Sequence, residues 1–423
     1  MADTTGRGTS RRAFLKAGVA AGGAALGAGA ARAAGPDPLI TQVQPWASGF
    51  GDGVDATPYG LPIRFEGDVI RRNVEWLTAD TISSINFTPI HALDGTITPA
   101  GCAFERHHSG AIELAREDYR LMVNGVERPT VFTYADLERF PRENHTYFLE
   151  CAANTGMEWA GAQLNGAQFT HGMIHNMEYS GIPLRAVLKE AGWDGDPAGK
   201  WVYVEGADAS SNGRSIPMEK ALDDCLIAIR ANGEALRKEH GYPARLVVPG
   251  WEGNLWVKWI RRIEVMDGPV ESREETSKYT DTLADGMSRK WTWVMDAKSV
   301  VTSPSPQAPV THGHGPLVIT GMAWSGHGRI TRVDVSKDGG RSWETARLAA
   351  DPGNKSVVRF YLDTVWAGEE MFLQSRAMDE TGYVQPTKAQ LREVRGLNSV
   401  YHNNGIQTWW IKPTGEAENV EVS

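Results

Sequence analysis

The chain has 423 residues, 41% hydrophobic and 22% charged, proportions that exclude disordered and fibrous classes. A formal net charge of −9 excludes a broad nucleic-acid-binding face, which needs a basic surface. The three cysteines, Cys102, Cys151 and Cys225, are odd in number and too few for a disulfide framework, so at least one thiol is left for another use.

In chain order, the first element is an address. Ser10-Arg11-Arg12-Ala13-Phe14-Leu15-Lys16 precedes an uncharged Ala/Gly-rich run, and Ala31-Arg32-Ala33 supplies a small-x-small cleavage pattern. An arginine pair ahead of a weakly apolar run reads as a twin-arginine signal over 1–33. The run from Ala17 to Ala31 is too short and too weakly apolar for a membrane span. Removing 1–33 takes away a net +4 and leaves a mature charge of −13. The expectation is a periplasmic protein without a membrane span, exported folded, and a common reason to fold before export is a cofactor inserted in the cytoplasm.

Residues 34–60 are Pro/Gly-rich and irregular. From 61 to 302, strand-like runs (Tyr119–Val123, Thr130–Tyr134, Thr146–Glu150, Val202–Glu205, Arg245–Val248, Trp256–Val265) alternate with short helical stretches (Thr81–Ile85, Tyr134–Phe140, Pro183–Ala191, Pro217–Leu222). Mixed short elements without a βαβ rhythm predict an α+β domain. Pro304-Ser305-Pro306 and Pro309 read as a linker. From 303 to 423, Leu317–Ala323, Ile330–Ser336, Ser356–Asp363 and Met371–Asp379 have sandwich spacing, with Asp338-Gly339-Gly340 as a hairpin-turn signal between two of them. That pattern fits an immunoglobulin-like β-sandwich.

The chemistry-bearing residues fall in clusters. Cys151 ends a buried-looking strand and is followed by Ala152-Ala153-Asn154-Thr155-Gly156. Upstream stands Phe104-Glu105-Arg106-His107-His108; downstream are Glu239-His240-Gly241 to Arg245 and Gly253-Asn254-Leu255-Trp256-Val257-Lys258. Guanidinium, imidazole and ammonium groups near Gly-rich turns are suited to gripping a phosphate. No P-loop or G-x-G-x-x-G fingerprint occurs, and no C-x-x-C-H, so covalent haem on this chain is excluded. Taken singly, each cluster also fits a plainer role: a strand-end cysteine is more often structural than a ligand.

Taken together and in order, the clusters resemble the sulfite oxidase family of molybdenum enzymes, and within it the sulfane dehydrogenase branch. The resemblance runs through Phe104–His108, Cys151 with Asn154, Tyr179-Ser180-Gly181-Ile182-Pro183, Glu205-Gly206-Ala207-Asp208, His240 to Arg245 and Val257-Lys258-Trp259. It continues through Ala323-Trp324-Ser325-Gly326, Asp338 to Trp343, and Arg395-Gly396. It implies a molybdopterin-binding domain followed by a dimerisation sandwich, with Cys151 as the thiolate on molybdenum. Phe104, Glu105, Arg106, His107, His108, Asp208, His240, Arg245, Trp256, Val257 and Lys258 would cradle the molybdopterin. Arg106, Tyr279 and Arg395 would face the substrate.

The implied activity is oxidation of sulfur by oxygen-atom transfer, with a carrier protein's persulfidated cysteine as substrate and a c-type cytochrome subunit as acceptor, around a homodimeric core. Two other readings stand beside it: a sulfite dehydrogenase, and a non-catalytic exported binding protein. The family's sulfite oxidases carry arginines after Cys-x-x-Asn, where this chain has Thr155 and Gly156, and losing a guanidinium weakens a site for a small dianion. Restoring one as Gly156→Arg is therefore expected to favour sulfite.

Overall fold

The computed structural model describes Gln42, Ala47, Ser48, 62–74, 80–349 and 353–422. The twin-arginine segment and nearly all of the irregular 34–60 segment lie outside the described residues. Residues from Pro62 onward form one unit built on two hydrophobic cores.

The first core lies among two five-stranded sheets and their short helices. One sheet runs in the spatial order Thr130–Thr133, Arg120–Asn124, Ile260–Met266, Trp201–Gly206, Gly213–Pro217. All its pairs are antiparallel except Ile260–Met266 with Arg120–Asn124, which is parallel. The other orders Glu234–Ala235, Leu226–Ala231, Ile174–Pro183, Glu143–Glu150, with Arg245–Val247 also paired to Leu226–Ala231. Two strands end in proline and pass straight into helices, Pro183 into Leu184–Glu190 and Pro217 into Met218–Asp223. Proline has no N–H to leave unpaired at a helix start, and its fixed φ suits the entry. Tyr134–Glu138 is opened by a reciprocal cap between Thr133 and Asp136.

The second core is a β-sandwich. One sheet is ordered Lys298–Ser303, Gly315–Trp324, Val358–Trp366, Arg347–Leu348; the other Glu344–Thr345, Ile330–Ser336, Met371–Asp379, Thr408–Ile411, Ala417–Val420. The molecule is thus an α+β domain followed by a sandwich. The strand Glu143–Glu150 lies at the seam between the cores: alternation puts Phe148 in the sandwich core and Leu149 in the first core. Cys151 follows directly, so the chain turns at the join of the two cores. Among the described residues no helix is long and apolar enough to cross a membrane.

Several expected elements differ. Thr81–Ile85 is not helical, because Asp80 Oδ1 accepts hydrogen bonds from the backbone N–H of Ile82 and Ser83, both at 2.7 Å, and this local turn competes with a helix. The strand expected from Trp256 begins only at Ile260, since Trp259 takes a left-handed φ of 50°. The proline-rich 304–309 stretch does not link domains. It connects two paired strands of the sandwich, Lys298–Ser303 and Gly315–Trp324. The Asp338-Gly339-Gly340 turn, with φ of 74° and 90° at its glycines, returns the chain into the short Glu344–Thr345 strand and not directly into the next long one.

Candidate active site

Two cavities meet at Cys151. The first encloses about 750 Å³, open to solvent, and is walled by Phe104–His108 on one side and by His240, Arg245, Trp256 and Lys258 on the other. The second, about 1260 Å³ and also open to solvent, is lined by Phe87, Phe169, Met157 and Met173 together with Thr155, Gly156 and Tyr401, and by the charged Glu158, Arg273 and Lys278. Arg106, His108, Cys151 and Tyr279 line both.

The first cavity brings Arg106, Arg245 and Lys258 together with Glu105, Asp208 and Glu239 on its walls, and its most deeply buried cation has no carboxylate of its own among the described residues. Arg245 is 3% exposed, its guanidinium donates to the carbonyls of His240 at 3.0 Å and Trp256 at 2.9 Å, and among the described residues it forms no carboxylate ion pair. Burial lowers its pKa, as expected of a desolvated charge. Lys258 Nζ donates to Arg106 O and Glu239 O, both at 3.0 Å, and to His107 Nδ1 at 2.9 Å. Burial, with Arg245 nearby, pulls its ammonium down to about 7. Because His107 Nδ1 accepts from Lys258, its proton is assigned to Nε2, which donates to Glu105 Oε2 at 2.8 Å. Burial opposes ionisation of Glu105, but hydrogen bonds from His107 and Asn86, with Arg71 close by, hold it at about 2.

Unmet polar atoms face the same space. His175 is 2% exposed; its Nε2 meets Tyr179 Oη at 2.9 Å and its Nδ1 has no partner. Neither the amide nitrogen nor the amide oxygen of Asn254 has a partner, and Asn212 Oδ1 is also unmet. Buried groups of this kind are normally satisfied, so the cleft has the donor and acceptor set of a polar, anionic ligand.

The Cys151 turn is fixed from several directions. Its N–H donates to Met173 O at 3.0 Å, its carbonyl accepts from Asn154 N at 2.9 Å, and Asn154 Oδ1 accepts from Met173 N at 3.1 Å. Burial raises the Cys151 thiol pKa, against the pull of the Ala153 N–H and Arg106. The protein alone therefore keeps the thiol protonated, unlike an activated nucleophilic cysteine; a bound metal ion would deprotonate it. Among the described residues no group of three or more His, Cys, Asp or Glu side chains could hold a metal, so a metal here would bring most of its ligands with it.

Tyr279 sits at the junction with a left-handed φ of 53°, an uncommon conformation for a bulky residue and a cost sustained by its surroundings. Its ring packs against Tyr401 at 5.1 Å and lies 5.2 Å from the Arg214 guanidinium. Arg214 pairs with Glu252 at 3.1 Å, and Glu252 with His402 at 2.9 Å. Burial raises the Tyr279 phenol far above its ordinary value.

Residues 399–404 form a strap across the Cys151 turn. His402 N donates to Ala152 O at 2.8 Å, and Asn403 Nδ2 to Thr155 O at 3.2 Å. A Cβ on Gly156 would stand 2.4 Å from Val400 O. The Gly156→Arg substitution suggested by the sequence therefore has no room, and the missing guanidinium is enforced by the strap. Gly156→Ala is expected to destabilise by about 1–3 kcal/mol through overpacking. Thermal unfolding checks this, and an unchanged midpoint would show that the strap yields freely.

Most sequence-predicted residues converge on the cleft: Phe104, Glu105, Arg106, His107, His108, Asp208, His240, Arg245, Trp256, Lys258, Cys151 and Tyr279 all line it. Two do not. Val257 is 1% exposed in the first core and lines neither cavity. Arg395 is 6% exposed, lines neither cavity and pairs with Asp281 at 3.4 Å and Asp296 at 3.5 Å, so its charge is spent on carboxylates and not presented to a substrate. The sequence reading missed His175, in the strand Ile174–Pro183, for which it had no element. It also missed Tyr401, which only the strap brings to the site.

Residues 108–274 match the oxidoreductase molybdopterin binding domain, and 289–409 the Mo-co oxidoreductase dimerisation domain. Sulfite oxidase of Gallus gallus is 35% identical over 333 residues, covering 72% of each chain. Mitochondrial sulfite oxidase of Mus musculus is 31% identical over 347 residues, 74% of this chain and 62% of that protein. The chain belongs to the sulfite oxidase family of molybdopterin oxidoreductases, and its cofactor is molybdenum-molybdopterin. Within that family it is similar to a solved sulfane dehydrogenase. The crystal structure of SoxCD from Paracoccus pantotrophus matches with a TM-score of 0.90 at 70% identity, covering 92% of this chain and 100% of that one.

Proposed function

We propose that this protein oxidises sulfane sulfur held as a persulfide on a carrier protein's cysteine, and passes the electrons to a c-type cytochrome subunit. The observation that carries the reading is the meeting of two cavities at Cys151, one with the polar set for an anionic pterin and the other a wide, solvent-open space walled in part by Phe87, Phe169, Met157 and Met173, which suits a sulfur chain presented from outside.

The bound molybdenum cofactor supplies oxygen-atom transfer and two-electron chemistry. Arg245, His240 and Lys258 would hold its phosphate, the unmet His175 Nδ1 and Asn254 amide would be available to its polar groups, and Cys151 would supply the soft protein ligand to the metal. Arg106, half-buried and lining both cavities, offers its guanidinium to the negative sulfur. Tyr279 presents a neutral phenol beside it, while Phe87, Phe169 and Met173 keep the sulfur chain out of water. Arg395 is neutralised and Thr155 and Gly156 are uncharged, so these positions add no charge for a small dianion to the second cavity, which Arg106, Arg273 and Lys278 also line. A carrier gains affinity from surface outside the cavity and does not need that added charge. The dimerisation sandwich supports a homodimeric core.

Steady-state assays with persulfidated carrier and with sulfite, both with a cytochrome c acceptor, test the reading. The expected result is a kcat/KM far higher for the carrier persulfide. Efficient sulfite turnover with no response to the carrier favours the sulfite dehydrogenase reading instead.

The same proposal places the protein in the periplasm, on the strength of Arg11-Arg12 ahead of the apolar run. Replacing both arginines with lysine is expected to hold folded, molybdenum-loaded protein in the cytoplasm. Fractionation checks this, and undiminished periplasmic protein would overturn the folded-export argument.

A further inference from the structure

The residue before Cys151 carries a charge that none of the chemistry above uses. Glu150 is fully buried, at 0% exposure. Its Oε1 accepts from Lys298 Nζ at 2.9 Å and from Asn154 Nδ2 at 2.9 Å, and its Oε2 accepts from Trp324 Nε1 at 2.6 Å. Lys298 reaches further and donates to the backbone carbonyl of Asn154 at 3.2 Å. Its side chain is 2% exposed. Lys298 and Trp324 belong to the sandwich, on the antiparallel strands Lys298–Ser303 and Gly315–Trp324, and they are direct register partners. Opposed residues of an antiparallel pair project to the same face, so the two donors leave the sheet together and close on one carboxylate.

A buried ion pair contributes little net stability compared with apolar residues of the same volume, so stability does not account for placing one here. Its geometry does. Glu150 and Asn154 bracket the turn that carries Cys151, and the grip acts on both ends of that turn at once. We propose that Lys298 and Trp324 are positioning residues: through Glu150 and Asn154 they set the direction of the Cys151 thiol, so the sandwich takes part in building the metal site as well as in association. This inference rests on the reading of Cys151 as the molybdenum ligand.

The test uses purified holoenzyme and the electron paramagnetic resonance spectrum of its half-reduced metal, read beside metal content and unfolding midpoint. Lys298→Met leaves Glu150 buried without its cation, so the paired variant Glu150→Gln/Lys298→Met removes both charges together. Trp324→Phe deletes only the indole N–H and keeps an aromatic ring, and it carries the test should the lysine variants fail to fold. The expected result is a shifted or broadened spectrum in the paired variant and in Trp324→Phe, at wild-type metal content. Alongside it kcat falls about tenfold, the low end of the range for outer-shell partners, and KM stays within about twofold. A wild-type spectrum in folded, metal-loaded variants overturns the inference, as does a change that only tracks lost metal. Cys151→Ser separates the two claims. If it leaves the spectrum unaltered, the ligand reading fails. If it alters the spectrum while the Lys298 and Trp324 variants do not, only the positioning role fails.

Discussion

Cys151→Ser is expected to leave the fold intact and lower turnover by at least about 100-fold, beyond the 10–100-fold range of outer-shell partners. A hydroxyl has nearly the volume of the thiol, and the hydrogen bonds that fix the turn come from the Cys151 backbone, Asn154 and Met173, none of which changes. What changes is the donor atom at the junction of the two cavities, from soft sulfur to hard oxygen. The other thiols provide the control. Cys102 is half-buried with one weak contact, 3.8 Å to Val69 O, and lies outside both cavities, so Cys102→Ser is expected to retain activity. Cys225 is 1% exposed and burial pushes its thiol up to about 12, so Cys225→Ala acts through packing alone. Turnover assays with all three variants check the contrast. Near-normal turnover in Cys151→Ser would remove that residue from the metal site.

The second large effect is expected at Arg245. A charge-assisted hydrogen bond contributes about 1.5–3 kcal/mol, and 1.4 kcal/mol is a factor of about ten. Arg245→Met keeps the aliphatic length, loses the guanidinium and is expected to lower pterin content about tenfold or more. The sign for the empty protein is the opposite of what a structural arginine would give. In the absence of a phosphate the guanidinium is buried at 3% exposure with backbone carbonyls and the Trp256 ring for partners and no carboxylate among the described residues, a costly arrangement that methionine relieves. The pterin-free variant is therefore expected to unfold at a midpoint no lower than pterin-free wild type. Pterin release with fluorescence, beside calorimetry of both empty proteins, checks the pair of expectations. A clear fall in the midpoint of the empty variant would assign Arg245 to the fold.

Much of this site was legible in the sequence because its parts are local. Phe104–His108 and the His240–Arg245 and Trp256–Lys258 segments each hold several polar groups within a few residues, and Cys151 sits where an apolar strand gives way to small residues. The architecture of an α+β domain followed by a sandwich was legible for a related reason: strand runs, prolines and turn glycines are short-range signals. What did not show was long-range. Arg395 has the sequence surroundings of a substrate arginine, but Asp281 and Asp296 approach it from distant parts of the chain. Gly156 reads as open space until Val400 is placed against it. The strand Ile174–Pro183 has no simple alternation, since His175, Asn176 and Ser180 interrupt it, although it pairs with Glu143–Glu150 and its His175 carries an unmet nitrogen among the residues lining the cleft. Thr81–Ile85 failed in the other direction, where a side-chain turn at Asp80 overrode a weak helical pattern. The grip of Lys298 and Trp324 on Glu150 depends on a register 148 and 174 residues away along the chain, which no local pattern encodes.

The central claim is that Cys151 binds molybdenum at the point where the two cavities meet. Molybdenum-edge X-ray absorption on wild-type and Cys151→Ser holoenzyme tests it most directly, because it counts the sulfur neighbours of the metal. The account predicts one fewer sulfur neighbour in the variant, replaced by oxygen, at comparable metal loading. An unchanged sulfur count in Cys151→Ser would contradict it.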